Sequence, residues 1–78
     1  MAIIFSQHSI IKLKQRKINH QYIIETIDNP ELIRPSYNHS QELFKKFNKN
    51  YLKVIIKKIK GDILIITAHW VAKTKNKL

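Results

Sequence analysis

The sequence predicts an α+β domain in which an N-terminal αα-hairpin packs on one face of an antiparallel sheet of three or four strands. Three observations predict it. Ser6 and Asn19, both good helix caps, each open an apolar pattern of helical spacing and stand about a dozen residues apart. Asp28-Asn29-Pro30 then closes the helical region, because a residue before proline is pushed out of the α basin. Beyond Pro30 the chain reads as strands separated by short polar turns, and a run of helices followed by a run of strands is the α+β pattern. The length of 78 residues holds one core, so residues 1–78 are read as a single domain.

The first helix is expected over Ser6 to Lys17, with Phe5 and Ile10 as a hydrophobic staple around the Ser6 cap. Asn19 caps the second, with Ile18 and Ile23 as its staple and Ile23, Ile24 and Ile27 along one face. Glu31 to Tyr37 is a weak strand interrupted by Pro35, which suits a sheet edge. Tyr37 to Ser40 reads as a turn, Gln41 to Phe47 as a strand, Asn48 to Asn50 as a turn and Tyr51 to Lys60 as a long strand. Lys60-Gly61-Asp62 is then a tight hairpin signal, and Ile63 to Ala72 is the last and most apolar strand. Ile3 and Ile4 can add a short strand at the start, and the basic run 73–78 is expected to fray.

Alternation assigns the faces of the sheet. With Gly61-Asp62 as the loop, Lys53 lies across from Trp70, and Leu52, Val54 and Ile56 share the helix side with Ile63, Ile65, Thr67 and His69. Tyr51, Lys53, Ile55 and Lys57 then share the other side with Leu64, Ile66, Ala68 and Trp70. A one-residue change in the loop exchanges these partners.

Composition excludes several classes of function. With no cysteine there is no disulfide scaffold, no thiolate zinc site and no thiol chemistry. The apolar runs are too short to cross a bilayer, and Met1 to Phe5 lacks the basic leader of a signal peptide, so a cytoplasmic protein without membrane contact is expected. Fifteen Lys and Arg against five Asp and Glu give a net charge of +10, a field that attracts polyanions. Thirteen of those cations are Lys in a chain rich in Ile and Asn, which AT-biased codons alone produce, but that bias does not make acids scarce. RNA or a ribonucleoprotein such as the ribosome is the expected partner. So small a core also gains from a homodimer or a bound partner.

His8, Lys12 and Arg16 stand four apart and form one polar stripe along the first helix, with cations to neutralise phosphate and an imidazole to move a proton. The same spacing suits a solvated face, or an Arg16 that pairs with Glu25 or Asp28. His69, on the last strand, is the second candidate proton carrier; His20 falls on a packing face and His39 in a turn. No two histidines have metal-ligand spacing, and there is no phosphate-cradling glycine loop and no carboxylate pair, so neither metal nor cofactor is expected. Tyr51 and Trp70 are the aromatics expected to meet RNA, with Lys12, Lys46, Lys53 and Lys57 as its cationic bed. The inventory fits transphosphorylation by the RNA 2′-OH, which needs only cations and a proton shuttle.

The segment His8-Ser9-Ile10-Ile11-Lys12-Leu13-Lys14-Gln15-Arg16-Lys17-Ile18 resembles the helix motif of a small bacterial family, the domain of unknown function numbered 4258. The basic strand Tyr51 to Ile56, the Gly61-Asp62 turn and the Ile65 to Trp70 close fit the same pattern, so the resemblance spans nearly the whole chain. Lys12 departs from the arginine usual there and loses its planar bidentate fork. That family is distantly similar to the RelE/ParE toxins. The resemblance implies a RelE-like fold and the toxin of a toxin–antitoxin system. It further implies cleavage of mRNA, at the ribosome or free, or another way of inhibiting growth, and neutralisation by an antitoxin, expected to be acidic. The positions that match the family's motif are His8, Lys12 and Arg16; joined to His69 from the residue reading, they make His8, Arg16 and His69 the expected catalytic residues. The alternative is a basic protein that binds RNA, DNA or the ribosome without cutting.

Overall fold

The structure is a computed structural model and describes residues 2–72; the expected frayed tail lies outside the described residues. Helix α1 spans Gln7–Gln15 and helix α2 spans His20–Asp28. Both begin where a side chain satisfies a free backbone donor: Ser6 Oγ accepts from the Ser9 N–H at 3.0 Å and Asn19 Oδ1 from the Gln21 N–H at 2.7 Å. The end of α1 is a Schellman motif built without glycine. Lys17 takes φ 55° and donates to the Lys14 carbonyl, while the Ile18 N–H reaches back to the Leu13 carbonyl. Its apolar clasp is Leu13 and Ile18, both buried in the core. The expected Phe5–Ile10 staple is replaced: Ile10 stays exposed, and the Phe5 ring stacks on His20 at 4.6 Å.

The sheet has five strands in the order β1-β5-β4-β3-β2: β1 Ile3–Phe5, β2 Leu32–Pro35, β3 Ser40–Phe47, β4 Asn50–Ile59 and β5 Asp62–Val71. Two features differ from the expected antiparallel sheet of three or four strands. Ile3–Phe5 is a true strand, and it pairs parallel to β5, so the sheet is mixed. This contact joins residues some sixty positions apart, held at one end by the Ile63 N–H on the Ala2 carbonyl and the Ala2 N–H on Asp62 Oδ1. Local pattern carries no signal for such a pairing. At the other edge β2 ends on Pro35, where a missing donor costs least.

The last hairpin departs from the expected register in two ways. Its loop is Lys60-Gly61, both at positive φ as a two-residue hairpin turn requires, with Ile59 across from Asp62. A β-bulge then follows: Ile56 pairs with Ile65 but Ile55 pairs with Thr67, leaving Ile66 as the extra residue. The bulge resets the alternation of β5. Ile63 and Ile65 point toward the helices before it, and Ala68 and Trp70 do so after it. The expectation that Thr67 and His69 lie on the helix side, with Ala68 and Trp70 among the lysines, is therefore reversed. Lys53 meets His69 rather than Trp70.

The core fills the space between the helical pair and this face: Leu13, Ile18 and Ile23 from the helical layer, and Leu43, Leu52, Val54, Ile56, Ile63, Ile65 and Ala68 from the sheet. Ser9 and Thr26 are also fully buried. Each returns its hydroxyl to its own helix, Ser9 to the Ser6 carbonyl and Thr26 to the Tyr22 carbonyl, so the small side chains pack without an unsatisfied donor.

Candidate active site

The register that buries Val54 and Ala68 turns their neighbours to the opposite, helix-free face. There the rungs of the sheet align Phe44, Lys53 and His69 in one row and Arg34, Glu42, Ile55 and Thr67 in the next. Lys46, Tyr51 and Val71 form the row toward the β3–β4 turn, and Ser40, Lys57 and Leu64 belong to this face at the other end. Phe44 and Tyr51 are only 4% and 6% exposed yet lie outside the helix-side core. The Arg34 guanidinium sits 5.9 Å from the Phe44 ring centre, a cation over an aromatic face.

Arg16 enters this face from the end of α1. The parallel pairing of β1 stops at Ile65, which leaves the next part of the β5 edge unpaired by strand. Arg16 Nη1 takes that edge, donating to the Ala68 carbonyl at 2.8 Å and to Thr67 Oγ1 at 3.2 Å. The Schellman turn that follows fixes where the side chain leaves the helix. Arg16 is otherwise exposed, and a guanidinium has five N–H donors, so the fork keeps capacity for an anion. The ion pair to Glu25 or Asp28 that the spacing left open is not formed; among the described residues the ion pair present is Lys53 with Glu42 at 3.5 Å.

His69 completes the group. Partial burial lowers its pKa from the usual 6.5, and the positive charges of Lys53 and then Arg16 lower it further, against a smaller opposing pull from Glu42. The imidazole is therefore neutral at neutral pH and free to accept a proton. One neutral base between two cations, with a single acid to one side, is a place for an anion that carries an exchangeable proton.

The structure brings Arg16, Lys53 and His69 together, with Tyr51 and Lys46 on the next rung of the same face, two residues farther along. Lys57 shares the face but lies four residues, or about 13 Å of strand, from Lys53. His8 is exposed in the first turn of α1, about 12 Å along the helix axis from Arg16, with half-buried Lys12 between them. Trp70 stands on the opposite face, against Tyr22 and Phe47. Reading by residue type passed over Glu42, Arg34 and Thr67. Glu42 carried a signal, being one of only five acids and set in a basic strand, whereas Thr67 could be found only through the bulge.

Two helices on one face of a five-stranded mixed sheet, with the other face open and cationic, define a class of small α+β domain. Among solved structures the chain is similar to the Brucella abortus ribonuclease toxin BrnT, known from a crystal structure at 1.1 Å, with a TM-score of 0.73 at 14% identity. The match covers 94% of this chain and 99% of the toxin, so the two share the fold over essentially their whole described length. No family model and no curated protein matches the sequence, and the resemblance to the domain of unknown function numbered 4258 rests on the quoted residues alone. Among the described residues no three of His, Cys, Asp and Glu converge as metal ligands, and no helix is long and apolar enough to cross a membrane.

Proposed function

We propose that this chain is the toxin of a toxin–antitoxin pair and acts as an endoribonuclease on mRNA, free or at the ribosome, without a metal ion. The observation that carries the reading is the convergence of Arg16 and Lys53 on a neutral His69. The fold shared with a ribonuclease toxin supports it. So does the charge of +10, which draws a phosphate backbone to the surface.

The chemistry is an internal displacement. Neutral His69 takes the proton of a ribose 2′-OH, whose oxygen attacks the adjacent phosphorus. The bond from phosphorus to the 2′ oxygen forms as the bond to the 5′ oxygen breaks, leaving a 2′,3′-cyclic phosphate and a 5′-hydroxyl. Arg16 and Lys53 stabilise the charge that builds on the non-bridging oxygens. The departing 5′ oxygen needs a proton, and the Lys53 ammonium across from His69 supplies it. What supports Lys53 over His8 in that role is the length of helix between His8 and Arg16. Tyr51, Lys46 and Lys57 extend the RNA track along the face, and Lys12 extends it along α1. An acidic antitoxin is the proposed protein partner, since a polyanionic cover would both screen the cations and close the face.

A second reading has one observation in its favour: Arg16 already holds the β5 edge through Thr67 and Ala68, as a purely structural arginine would. The same surface would then bind RNA, DNA or the ribosome and not cut. Incubation of single-stranded RNA with the protein in EDTA separates the two. The toxin reading expects cyclic-phosphate ends and a loss of about 10²–10⁴-fold in rate for His69→Ala. No cleavage above a heat-denatured control, with no growth arrest on expression, leaves the binder.

A further inference from the structure

On the helix side of the sheet, at the end away from Lys57, Tyr22, Phe47 and Trp70 enclose an open cleft of about 720 Å³ with Asn48, Lys49 and Asn50 at its rim. The three rings meet obliquely. Tyr22 and Phe47 are 4.6 Å apart at 47°, Tyr22 and Trp70 5.8 Å at 75°, and Phe47 and Trp70 6.2 Å at 90°. Edge contacts of this kind leave ring faces unstacked on one another, while Phe47 and Trp70 remain half-buried and Tyr22 is 36% exposed. A core cluster of three such rings would be closed by apolar side chains. This one is instead bordered by two amides, which both donate and accept, and by an exposed lysine at a hairpin tip.

The cleft also stands in a fixed relation to the open face. Trp70 follows His69 on one strand, so the two project from opposite sides of the same backbone. The rung of Phe47 and Asn50 lies three residues, or about 10 Å, from the rung of Phe44 and Lys53. An extended single strand that rounds the β3–β4 tip spans that distance in a few nucleotides. It would pass Lys49 on the way.

We propose that the Tyr22–Phe47–Trp70 cleft holds an unpaired nucleobase of the RNA whose scissile phosphate lies at Arg16, Lys53 and His69, with Lys49 on the intervening phosphate. The inference rests on the reading of the ligand as RNA and adds that a single strand is favoured, because a paired base would first have to break its pairing and stacking to enter.

Trp70 is the sole tryptophan of the chain, so its emission reports on the cleft alone. The probe is a short single-stranded RNA, 2′-O-methylated so that it cannot be cut, with binding followed independently by anisotropy of an end label. The expected result is saturable quenching of Trp70 by the single strand and none by the same sequence as a duplex. Tyr22→Ala weakens binding about tenfold, the order of one lost base stack. Lys49→Gln, on an exposed turn that tolerates it, weakens binding a few-fold and flattens its salt dependence. Binding seen by anisotropy with unchanged Trp70 emission overturns the cleft, as does undiminished affinity in a folded Tyr22→Ala protein. Quenching without cleavage of unmodified RNA keeps the cleft and removes the nuclease. No binding by either signal removes both.

Discussion

The two sides of this sheet are made from the same strands and differ in every property that decides what a surface does. On the helix side Leu52, Val54, Ile65 and Ala68 are wholly buried, and the polar groups among them, Ser9 and Thr26, are satisfied within their own helices. On the open side Phe44 and Tyr51 are nearly as well covered, but the groups beside them are Arg34, Glu42, Lys53, Arg16 and His69. The first side turns burial into stability. The second uses burial to hold charged groups in place and to keep an imidazole neutral. Because β side chains alternate, a single inserted residue decides which of the two a given side chain joins, and here Ile66 is that residue.

If the two sides are this distinct, mutations should separate stability from function. The largest effect on stability is expected from Leu52→Ala on the covered side, a loss of about 2–5 kcal/mol. A domain of this length has about 4–12 kcal/mol in all, so the variant should melt far below the wild type in urea or heat. A loss below about 1 kcal/mol would mean that the helical layer is loosely seated and the contrast between the sides is weaker than drawn.

Arg16 crosses between the sides, and its substitution tests the division directly. Arg16→Ala removes a charged hydrogen bond to the β5 edge, which for an exposed group is expected to cost about 1 kcal/mol, and it removes a cation from the proposed phosphate site. Stability should fall little while RNA cleavage falls about a hundredfold or more. Arg16→Lys keeps the charge without the planar fork and should recover only part of the rate. Equal small losses in both properties would assign Arg16 to the scaffold.

A smaller effect is expected at Lys17, where a side chain occupies the left-handed region that favours glycine. Relief of about 1 kcal/mol of strain is partly offset by the greater freedom of glycine in the unfolded chain, so Lys17→Gly should gain a few tenths of a kcal/mol. Thermal melts at equal ionic strength measure it, and a loss would show that the Schellman turn needs the lysine for another contact.

What could be read from the residues follows the same division between local and distant causes. Ser6, Asn19 and Pro30 act on their own neighbours, and both helices begin, and α2 ends, where those residues say; α1 stops at Gln15, short of the expected Lys17, because Lys17 turns into the left-handed region. Gly61 marked a hairpin, although the turn uses Lys60-Gly61 and not Gly61-Asp62. The bulge carries no such mark, because Ile66 in a row of isoleucines looks like any strand residue, and so simple alternation reverses the faces of Thr67 to Trp70. The parallel pairing of β1 depends on β5 reaching it from the far end of the chain. The spacing of His8, Lys12 and Arg16 draws attention to Arg16, which the fold brings to the β5 edge. Its partners, Thr67 and the Ala68 carbonyl, belong to a strand whose phase only the bulge sets.

The most delicate test concerns the proton at His69. In the unfolded chain an imidazole takes up a proton near pH 6.5, whereas in the fold burial, Lys53 and Arg16 delay that to lower pH, with Glu42 opposing. Between the two values the unfolded state binds more protons, so this group makes stability fall as pH drops below about 6.5, and the loss is complete once pH is below the folded value. His69→Gln lacks the effect, while His8, His20 and His39 are common to both proteins and cancel. The melting-temperature difference of wild type minus His69→Gln should therefore shift against the wild type on acidification through this window. Glu42→Gln removes the one charge that raises the pKa, and should push the His69 titration, followed by NMR, to still lower pH. Bound phosphate acts in the opposite direction and should raise it. If the melting difference is flat with pH and Glu42→Gln leaves the titration in place, the open face does not hold its imidazole neutral. His69 would then titrate as any surface histidine does, and the contrast between the two sides of the sheet would be one of packing alone.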